Sequence, residues 1–405
     1  MIQGNAPSFV FGGNPVKLSF TVDGVEYHKN NGNVASNGNV EIDENFKLSD
    51  FQITPFSLST FNVATNYFDS DGDAADPTTP FTVELEHKWS NAWGMEITDE
   101  NQKIGTIGGP VILIIKLIPY VHSQYGIPKD GGGYFLVEQT YTIIPSSEIR
   151  YAKPNFMNVH PDKIWVSLAL NQWQDGNSTV NSTRVPQRGG GYTADFDPKN
   201  GFKATASTKF PTTGFPKAKF QLIMLRDPNN YTFTSDSTAV TVDQNGFVTL
   251  ESKPSGDVTI TAALKNTTKT YKYKFNPTTI WVVPKPGIKT QAEAIAECGV
   301  NLPSSAHLTN GRRTNYNYRW VHSYITVSIG ESVFAEWGIT NKYSYSSPWD
   351  LEPSYPGSNW YTGWYWTTDT IPGGTLPVLV LSANGYLITI PHDTAAGDTH
   401  AACLG

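Results

Sequence analysis

The sequence contains very little cysteine, with two residues in a chain of 405. This scarcity excludes a cysteine-rich disulfide framework. Charged residues make up only 16% of the chain, the formal net charge is −7, and no cluster of Lys or Arg occurs. The charge pattern therefore disfavours nucleic acid and anionic membrane surfaces as partners.

Long hydrophobic runs are also absent, because no run reaches the roughly 18 apolar residues that a membrane-spanning helix needs. The nearest run, residues 111–118, is short and contains Lys116. We interpret it as a buried β-strand. The first residues lack the charged and apolar regions of a signal peptide, so we expect the chain to be a fragment of a longer exported protein.

Catalytic motifs are lacking as well. The eight histidines have neither a second histidine nor a cysteine at metal-ligand spacing. The chain contains neither a Gly-x-Ser-x-Gly elbow nor a phosphate-binding loop. We therefore expect no enzymatic activity, no cofactor and no metal centre.

One acidic cluster, formed by Asp69, Asp71, Asp73 and Asp76, alternates around Gly72 in a pattern that can surround a calcium ion. Its spacing departs from that of an EF-hand, because the glycine comes two positions early and no glutamate follows at the right distance. We favour a solvated loop and leave calcium binding open.

The chain is rich in aromatic residues, at 13%, and contains 35 Gly and 27 Pro. This composition is typical of extracellular all-β proteins. The only cysteines, Cys298 and Cys403, suggest one disulfide and an oxidising compartment, with two free thiols as the alternative. A bridge would hold a terminus that otherwise frays. In the chain-entropy model it could stabilise the last segment by up to ~4–5 kcal/mol.

The first segment, residues 1–153, alternates strand-like runs with clusters of Gly, Asn, Asp and Pro. This spacing predicts a β-sandwich, which we assign as immunoglobulin-like by position and pattern. The runs are residues 16–22, 81–86, 111–117 and 134–144.

The second segment, residues 154–277, carries a strong hairpin signal. A Gln-Asn-Gly turn at residues 244–246 is flanked by alternating apolar residues, and this pattern predicts two paired strands. Residues 258–262 and 271–275 continue the alternation. The alternating apolar residues around the turn are Val240, Val242, Val248 and Leu250.

The third segment, residues 278–405, has a different pattern. Thr290 and Glu293 form a capping-box pattern that opens a short helix ending at Cys298. A second short helix is predicted over residues 331–337, stopped by Gly338. With strand-like runs at residues 324–327, 378–381 and 386–390, these helices predict a small α+β domain.

Two stretches carry a family resemblance. Residues 235–249 together with residues 256–262 are similar to the C-terminal half of a bacterial immunoglobulin-like domain. In the third segment the matching residues are the helix ending at Cys298, the Leu-Pro-Ser-Ser of residues 302–305, the Glu-Trp-Gly of residues 336–338 with Tyr343, the Tyr-Trp-Thr-Thr of residues 365–368, and Cys403. This segment resembles the C-type-lectin-like domain that ends intimin and invasin, the adhesins of enteric bacteria.

The resemblance implies a mainly β chain in which tandem immunoglobulin-like β-sandwiches are followed by a C-terminal α+β C-type-lectin-like domain. It implies the distal passenger of an inverse autotransporter on the bacterial cell surface, with a role in virulence. Contact with the outer membrane is then expected only through a preceding N-terminal β-barrel. We expect this fragment to be monomeric.

Candidate receptor-binding residues lie in the aromatic loop of the third segment, because Trp and Tyr dominate the binding energy of protein interfaces. By resemblance, Trp337 and Trp366 belong to the core. Trp349, Trp360 and Tyr361 lie among Pro, Gly and Ser and are expected to be exposed on a loop that prolines hold rigid. The predicted binding residues are Trp349, Asp350, Tyr355, Trp360, Tyr361 and Trp364.

These observations predict an adhesin that binds a host-cell surface receptor, a protein rather than a glycan. One alternative is a carbohydrate-binding adhesin that uses the aromatic loop, where the Trp-Asp of residues 349–350 and the Glu-Pro-Ser of residues 352–354 are incomplete fragments of sugar-binding motifs. The other is a self-associating surface protein for biofilm or cell–cell contact. A glycan array with and without calcium tests the first alternative, and analytical ultracentrifugation tests the second.

Overall fold

Residues 1–147 and 148–405 form two separate units in the computed structural model. The structure describes residues 4–11, 16–29, 32–132, 137–155, 163–167, 172–175, 191–311, 313–316, 319–322, 325–338, 340, 354–371, 373–382, 385–389 and 398–405. The unit boundary lies a few residues before the predicted start of the second domain at residue 154. The division into three domains stays a prediction.

The first unit is built from β-strands with one short helix, α1, Val63–Asn66. Single 3-10 turns lie at Leu48–Asp50, Leu58–Thr60 and Ile104–Thr106. Its strands are β1 (Ser8–Phe9), β2 (Phe20–Val22), β3 (Val25–Tyr27), β4 (Asn39–Asp43), β5 (Gln52–Ile53), β6 (Tyr67–Phe68), β7 (Phe81–Asn91), β8 (Val111–His122), β9 (Asp130–Gly132) and β10 (Val137–Ser146).

Strand β8 lies at the centre of this unit. It pairs with β7, β9 and β10, and β10 pairs in parallel with β4. Every second residue of β8 points inward, so Leu113, Ile115 and Leu117 are fully buried. They pack with residues of the smaller β3-β2-β5 sheet, including Phe20, in one core. The prediction of a buried strand over residues 111–118 is confirmed.

The second unit contains twenty described strands and three helices. The helices are α2 (Gln291–Cys298), α3 (Ser305–Leu308) and α4 (Val333–Trp337), with 3-10 turns at Pro228–Asn230 and Gly299–Asn301. The strands are β11 (Ile149–Pro154), β12 (Lys163–Ser167), β13 (Gln172–Asp175), β14 (Phe196–Asp197), β15 (Gly201–Lys203), β16 (Thr213–Gly214), β17 (Ala218–Met224), β18 (Tyr231–Ser235), β19 (Val240–Val242), β20 (Phe247–Leu250), β21 (Val258–Leu264), β22 (Thr270–Phe275), β23 (Ile280–Pro284), β24 (Arg313–Tyr316), β25 (Arg319–His322), β26 (Trp364–Thr370), β27 (Pro377–Leu381), β28 (Leu387–Thr389), β29 (Thr399–His400) and β30 (Ala402–Leu404).

Two sheets form a β-sandwich from the second segment together with β11, which begins in the first segment at Ile149. Their strand orders are β14-β15-β11-β17-β20-β19 and β18-β21-β22. Their apolar faces share one core. The predicted hairpin joins β19 and β20. Its Gly246 has φ +77°, and Asp243 Oδ1 accepts hydrogen bonds from the backbone N–H groups of Asn245 and Phe247 at 2.9 Å each. The Asn-Gly signal is therefore confirmed.

The third segment adds the sheets β16-β23-β30 and β28-β27-β26-β29. Helix α2 begins with the predicted capping box, in which Thr290 and Glu293 exchange hydrogen bonds. Helix α4 ends at Gly338 with φ +71°, as predicted, but begins at Val333 because Ser332 is its cap. The strand predicted over residues 324–327 is an isolated bridge of Val327 to Tyr192 in the described part.

A single hydrophobic core runs through both the second and the third segments. Trp337 of α4 is fully buried among aromatic rings of the second segment. Its ring centroid lies 4.9 Å from that of Phe210, 5.4 Å from that of Phe215 and 6.2 Å from that of Phe220. The sandwich is thus completed by a helix that lies more than a hundred residues further along the chain.

Candidate functional site

The predicted binding loop is only partly described. Trp349 and Asp350 lie outside the described residues. Tyr355, Trp360, Tyr361 and Trp364 lie within them, and the structure places them in different environments.

Two tryptophans assigned to the core by resemblance are buried. Trp337 is 0% exposed and Trp366 is 1% exposed. Each indole N–H donates to a backbone carbonyl, Trp337 to Thr213 at 3.1 Å and Trp366 to Lys289 at 2.7 Å. The core prediction for both residues is confirmed.

Trp360 is buried, so the expectation that it is exposed is wrong. It is 3% exposed, and its ring contacts Phe334 of α4 at 5.2 Å and Tyr365 of β26 at 4.8 Å between centroids. Tyr355 is also fully buried, and its hydroxyl donates to the Trp337 carbonyl at 2.7 Å. The Pro and Gly residues nearby shape the loop, but long-range aromatic packing decides which rings are covered.

Tyr361 is exposed, as predicted, with 41% of its surface accessible. Its ring stacks on His400 at 5.0 Å between centroids and 11° between planes. Its backbone is fixed on both sides, because its N–H donates to the Tyr365 hydroxyl at 2.9 Å and its carbonyl accepts from Ser382 Oγ at 2.8 Å. The geometry therefore presents one aromatic ring at the surface on a fixed support.

The imidazole of His400 forms the buried side of this stack. It is 4% exposed, and its Nδ1 lies 3.0 Å from the Gly287 carbonyl, to which a protonated Nδ1 donates. Burial lowers the pKa of His400, with opposing contributions from that carbonyl and from Asp398. The lowered pKa favours the neutral form of the imidazole beneath Tyr361.

Trp364 is partly buried against the core around the disulfide. The structure contains the predicted bridge between Cys298 and Cys403, which span a sequence separation of 105. Cys298 ends α2 and Cys403 lies in β30, so the bridge joins a helix to a strand. Trp364 packs against the hydrophobic cluster that contains both cysteines and remains partly exposed.

The acidic cluster of the first unit is occupied by local hydrogen bonds. Asp69 Oδ1 accepts from the N–H of Asp71 at 2.8 Å. Asp76 Oδ1 accepts from Thr78 N–H and Oγ1 and from Thr79 N–H, and these donors, led by the Thr78 hydroxyl, lower the pKa of Asp76 to about 2. Within the described parts of the chain, no three His, Cys, Asp or Glu residues converge to hold a metal ion.

One arrangement was missed by sequence reasoning because its members lie on three neighbouring strands. His122 Nδ1 lies 2.7 Å from Asp130 Oδ1, and His122 Nε2 lies 2.8 Å from Thr82 Oγ1. When His122 is neutral, Nδ1 donates to the carboxylate and Nε2 accepts from the hydroxyl. The chain of hydrogen bonds joins β7, β8 and β9 on one face and fixes their side chains.

None of the described helices is long and apolar enough to cross a membrane.

Comparison with known proteins gives three similarities. A family described as invasin, domain 4, matches residues 194–275. An invasin of Yersinia enterocolitica is 30% identical over 184 residues, a match that covers 42% of this chain and 19% of the relative. A crystal structure of invasin, described as a bacterial integrin-binding protein, superimposes with a TM-score of 0.37 at 16% identity, covering 96% of this chain and 59% of that one. A superposition that distant supports no argument on fold or function.

Proposed function

From the premise that this chain is a member of the intimin/invasin family, we propose that it is a bacterial surface adhesin whose third segment binds a host-cell receptor. The match to the fourth invasin domain supports the premise for the second segment, where the sandwich lies. The third segment supplies the binding surface in this proposal, and its fold is that of a C-type-lectin-like domain. The protein acts by binding and performs no catalysis.

The single observation that carries the proposal is the presentation of Tyr361. An exposed aromatic ring on a support that is already ordered contributes apolar contact area without the entropic cost of ordering a loop. The stack on His400 and the two backbone hydrogen bonds provide that order. Tyrosine also offers a hydroxyl that can pair with a polar group of a protein partner.

A protein receptor is proposed rather than a glycan because Tyr361 combines apolar area with a hydroxyl, a combination that is enriched at protein interfaces. The proposed location is the outer surface of the bacterium, with the chain held at the outer membrane by parts of the protein that precede it in this family. The third segment then faces the host cell.

The proposal is tested by substituting Tyr361→Ala and measuring binding of the purified chain to host cells by flow cytometry. A central aromatic anchor contributes about 2 kcal/mol or more, so we expect binding to weaken by about 30-fold. The melting temperature should fall by no more than the loss of one stacked aromatic pair allows, about 0.5–1.5 kcal/mol, because Tyr361 lies at the surface with 41% of it exposed.

The matched control is Tyr125→Ala in the first unit, where the side chain is 62% exposed. This variant should bind host cells as the unchanged protein does. Loss of binding in Tyr125→Ala with retained binding in Tyr361→Ala would move the receptor site to the first unit and refute the proposal.

A glycan receptor is the second candidate, because a planar ring fixed at a surface can also stack on a sugar. A glycan array with and without calcium separates the two candidates. A strong glycan signal that disappears in Tyr361→Ala would identify the ligand as carbohydrate while keeping the site.

A further inference from the structure

Glu336 of α4 is a charged residue at the centre of the second unit. It is 1% exposed. Its Oε1 accepts from Thr212 Oγ1 at 2.7 Å and from Gly330 N–H at 2.9 Å. Its Oε2 accepts from Thr213 N–H at 2.8 Å and from Thr213 Oγ1 at 2.7 Å, and the Thr212 N–H lies 3.0–3.1 Å from both oxygens.

Four of these five donor groups come from the second segment. Thr212 and Thr213 lie 124 and 123 residues before Glu336 in the chain, and Thr213 begins β16. The next residue, Trp337, donates its indole N–H to the same Thr213, to the carbonyl at 3.1 Å and to the hydroxyl at 3.2 Å. Two consecutive side chains of α4 therefore hold one short strand.

The carboxyl group of Glu336 depends on these hydrogen bonds, because its residue is almost fully buried. Among the described residues, no cation forms an ion pair with Glu336, and its carboxyl oxygens are contacted by neutral hydrogen-bonding groups. Burial raises the pKa of Glu336, and the donors oppose that rise. Conversely, the backbone N–H groups of Thr212, Thr213 and Gly330 would lose a buried acceptor if the carboxylate were removed.

Helix α4 connects this carboxylate to the exposed tyrosine. Phe334, in the same helix, packs its ring 5.2 Å from that of Trp360. Trp360 directly precedes Tyr361 in the chain. The contact between Phe334 and Trp360 therefore links α4 to the residue before the proposed receptor anchor.

We propose that Glu336 is a positioning residue, a buried carboxylate that fixes α4 on β16 and thereby sets the orientation of the Tyr361 surface on the second segment. Hydrophobic contacts are non-directional and bring the two segments together. The five directed hydrogen bonds of Glu336 select one arrangement among the packings that the aromatic core would accept. The part of this inference that concerns receptor binding rests on the proposed function, whereas the part that concerns orientation does not.

The test measures orientation directly. Spin labels are introduced as non-natural amino acids at Thr268 in the second segment and at Val300 in the third, both exposed, so that the disulfide is left intact. Double electron–electron resonance then gives the distance distribution in the full chain. Unchanged Glu336 should give one narrow distribution, and Glu336→Gln should give a broad or shifted one, because the amide places an NH₂ group among donors.

Two further variants complete the experiment. Glu331→Gln is the matched control. Glu331 is an exposed glutamate shortly before α4, and it accepts a hydrogen bond from Asn310 Nδ2. This variant should keep the narrow distance distribution. If Glu336→Gln does not fold, Thr213→Val removes one donor to Glu336 and one of the two acceptors of the Trp337 indole N–H while keeping the side-chain shape. It should broaden the distribution at a temperature well below its melting transition.

The inference would be overturned if a folded Glu336→Gln chain gave a narrow, unshifted distance distribution, even with a lower melting temperature. If that variant does not fold, the same result in folded Thr213→Val would overturn it. That result would assign to Glu336 a purely stabilising role. Broad distributions together with unimpaired host-cell binding of Tyr361→Ala would instead support the positioning role and refute the proposed receptor site.

Discussion

The two units of the molecule complete their cores in different ways. The first unit builds its core from strands that all lie within residues 1–147, around the alternating side chains of β8. The second unit draws one core from two stretches of chain that differ in pattern, and Trp337 of the later stretch lies among Phe rings of the earlier one. A boundary drawn where the sequence pattern changes is therefore not always the boundary of a core.

This difference matters because the second segment matches a family by itself. The match covers residues 194–275, which contain most of the sandwich strands but none of α4. A recognisable sequence domain can thus depend on a neighbour for its last core residues.

The largest expected effect comes from separating the two segments. A fragment of residues 148–277 would expose Phe210 and Phe215, which are fully buried in the whole chain, and would lose the ring of Trp337. Removing one large aromatic side chain from a core typically costs about 3–5 kcal/mol, which approaches the total stability of many domains. We expect the fragment to show no cooperative transition by scanning calorimetry. The sequence-based division, in which residues 154–277 form a domain of their own, implies the opposite.

The fragment of residues 1–147 is the control, because its core is complete, and it should melt cooperatively. A cooperative transition of residues 148–277 at the temperature of the full second unit would contradict the conclusion that the second segment needs the third to complete its core. It would show that the Trp337 contacts are dispensable.

The second prediction concerns the bridge between α2 and β30. Cys298→Ser should lower the stability of the second unit by about 2–4 kcal/mol, because the unfolded chain regains the freedom of a long loop. The double variant with Cys403→Ser should lose the same amount, since either change removes the whole bridge. Calorimetry resolves the two units, and the transition of the first unit should stay in place. An unchanged second transition would mean that the bridge does not constrain the fold.

The smallest expected effect is local. Thr290→Ala removes a hydroxyl that accepts from Glu293 N–H at 3.3 Å and donates to Glu293 Oε2 at 2.9 Å. Loss of such a cap costs about 1 kcal/mol. Urea unfolding should show this loss without a change in m-value. Thr268→Ala, on an exposed turn, should stay within about 0.5 kcal/mol of the unchanged chain, and a loss equal to that of Thr290→Ala would remove the cap as the explanation.

The elements that could be predicted from sequence are those whose signal is local. The turn at Gly246, the capping box at Thr290 and the stop at Gly338 depend on a few adjacent residues and their backbone preferences. The disulfide pairing could be predicted because the chain contains only two cysteines. The buried strand β8 could also be predicted, because a continuous apolar run of this length is too short to span a membrane and is typical of a buried strand.

The burial of Trp360 and the partners of Glu336 could not be predicted in the same way. Trp360 packs against Phe215 and Phe334, and neither lies near it in the sequence. A glutamate next to a tryptophan gives no sign that five donors, four of them more than a hundred residues away, surround it. Pairings of this kind become visible only when the folded chain brings distant residues together.

Trp360 is buried and its neighbour Tyr361 is exposed, and this difference decides which of the two positions tolerates substitution. Trp360 is held by rings on several sides, so few replacements are compatible with the fold. Its neighbour Tyr361 shares the same rigid backbone but leaves 41% of its surface in solvent. In the proposed receptor site, a substitution at 361 would therefore change the exposed contact surface while the core contacts of Trp360 remain in place.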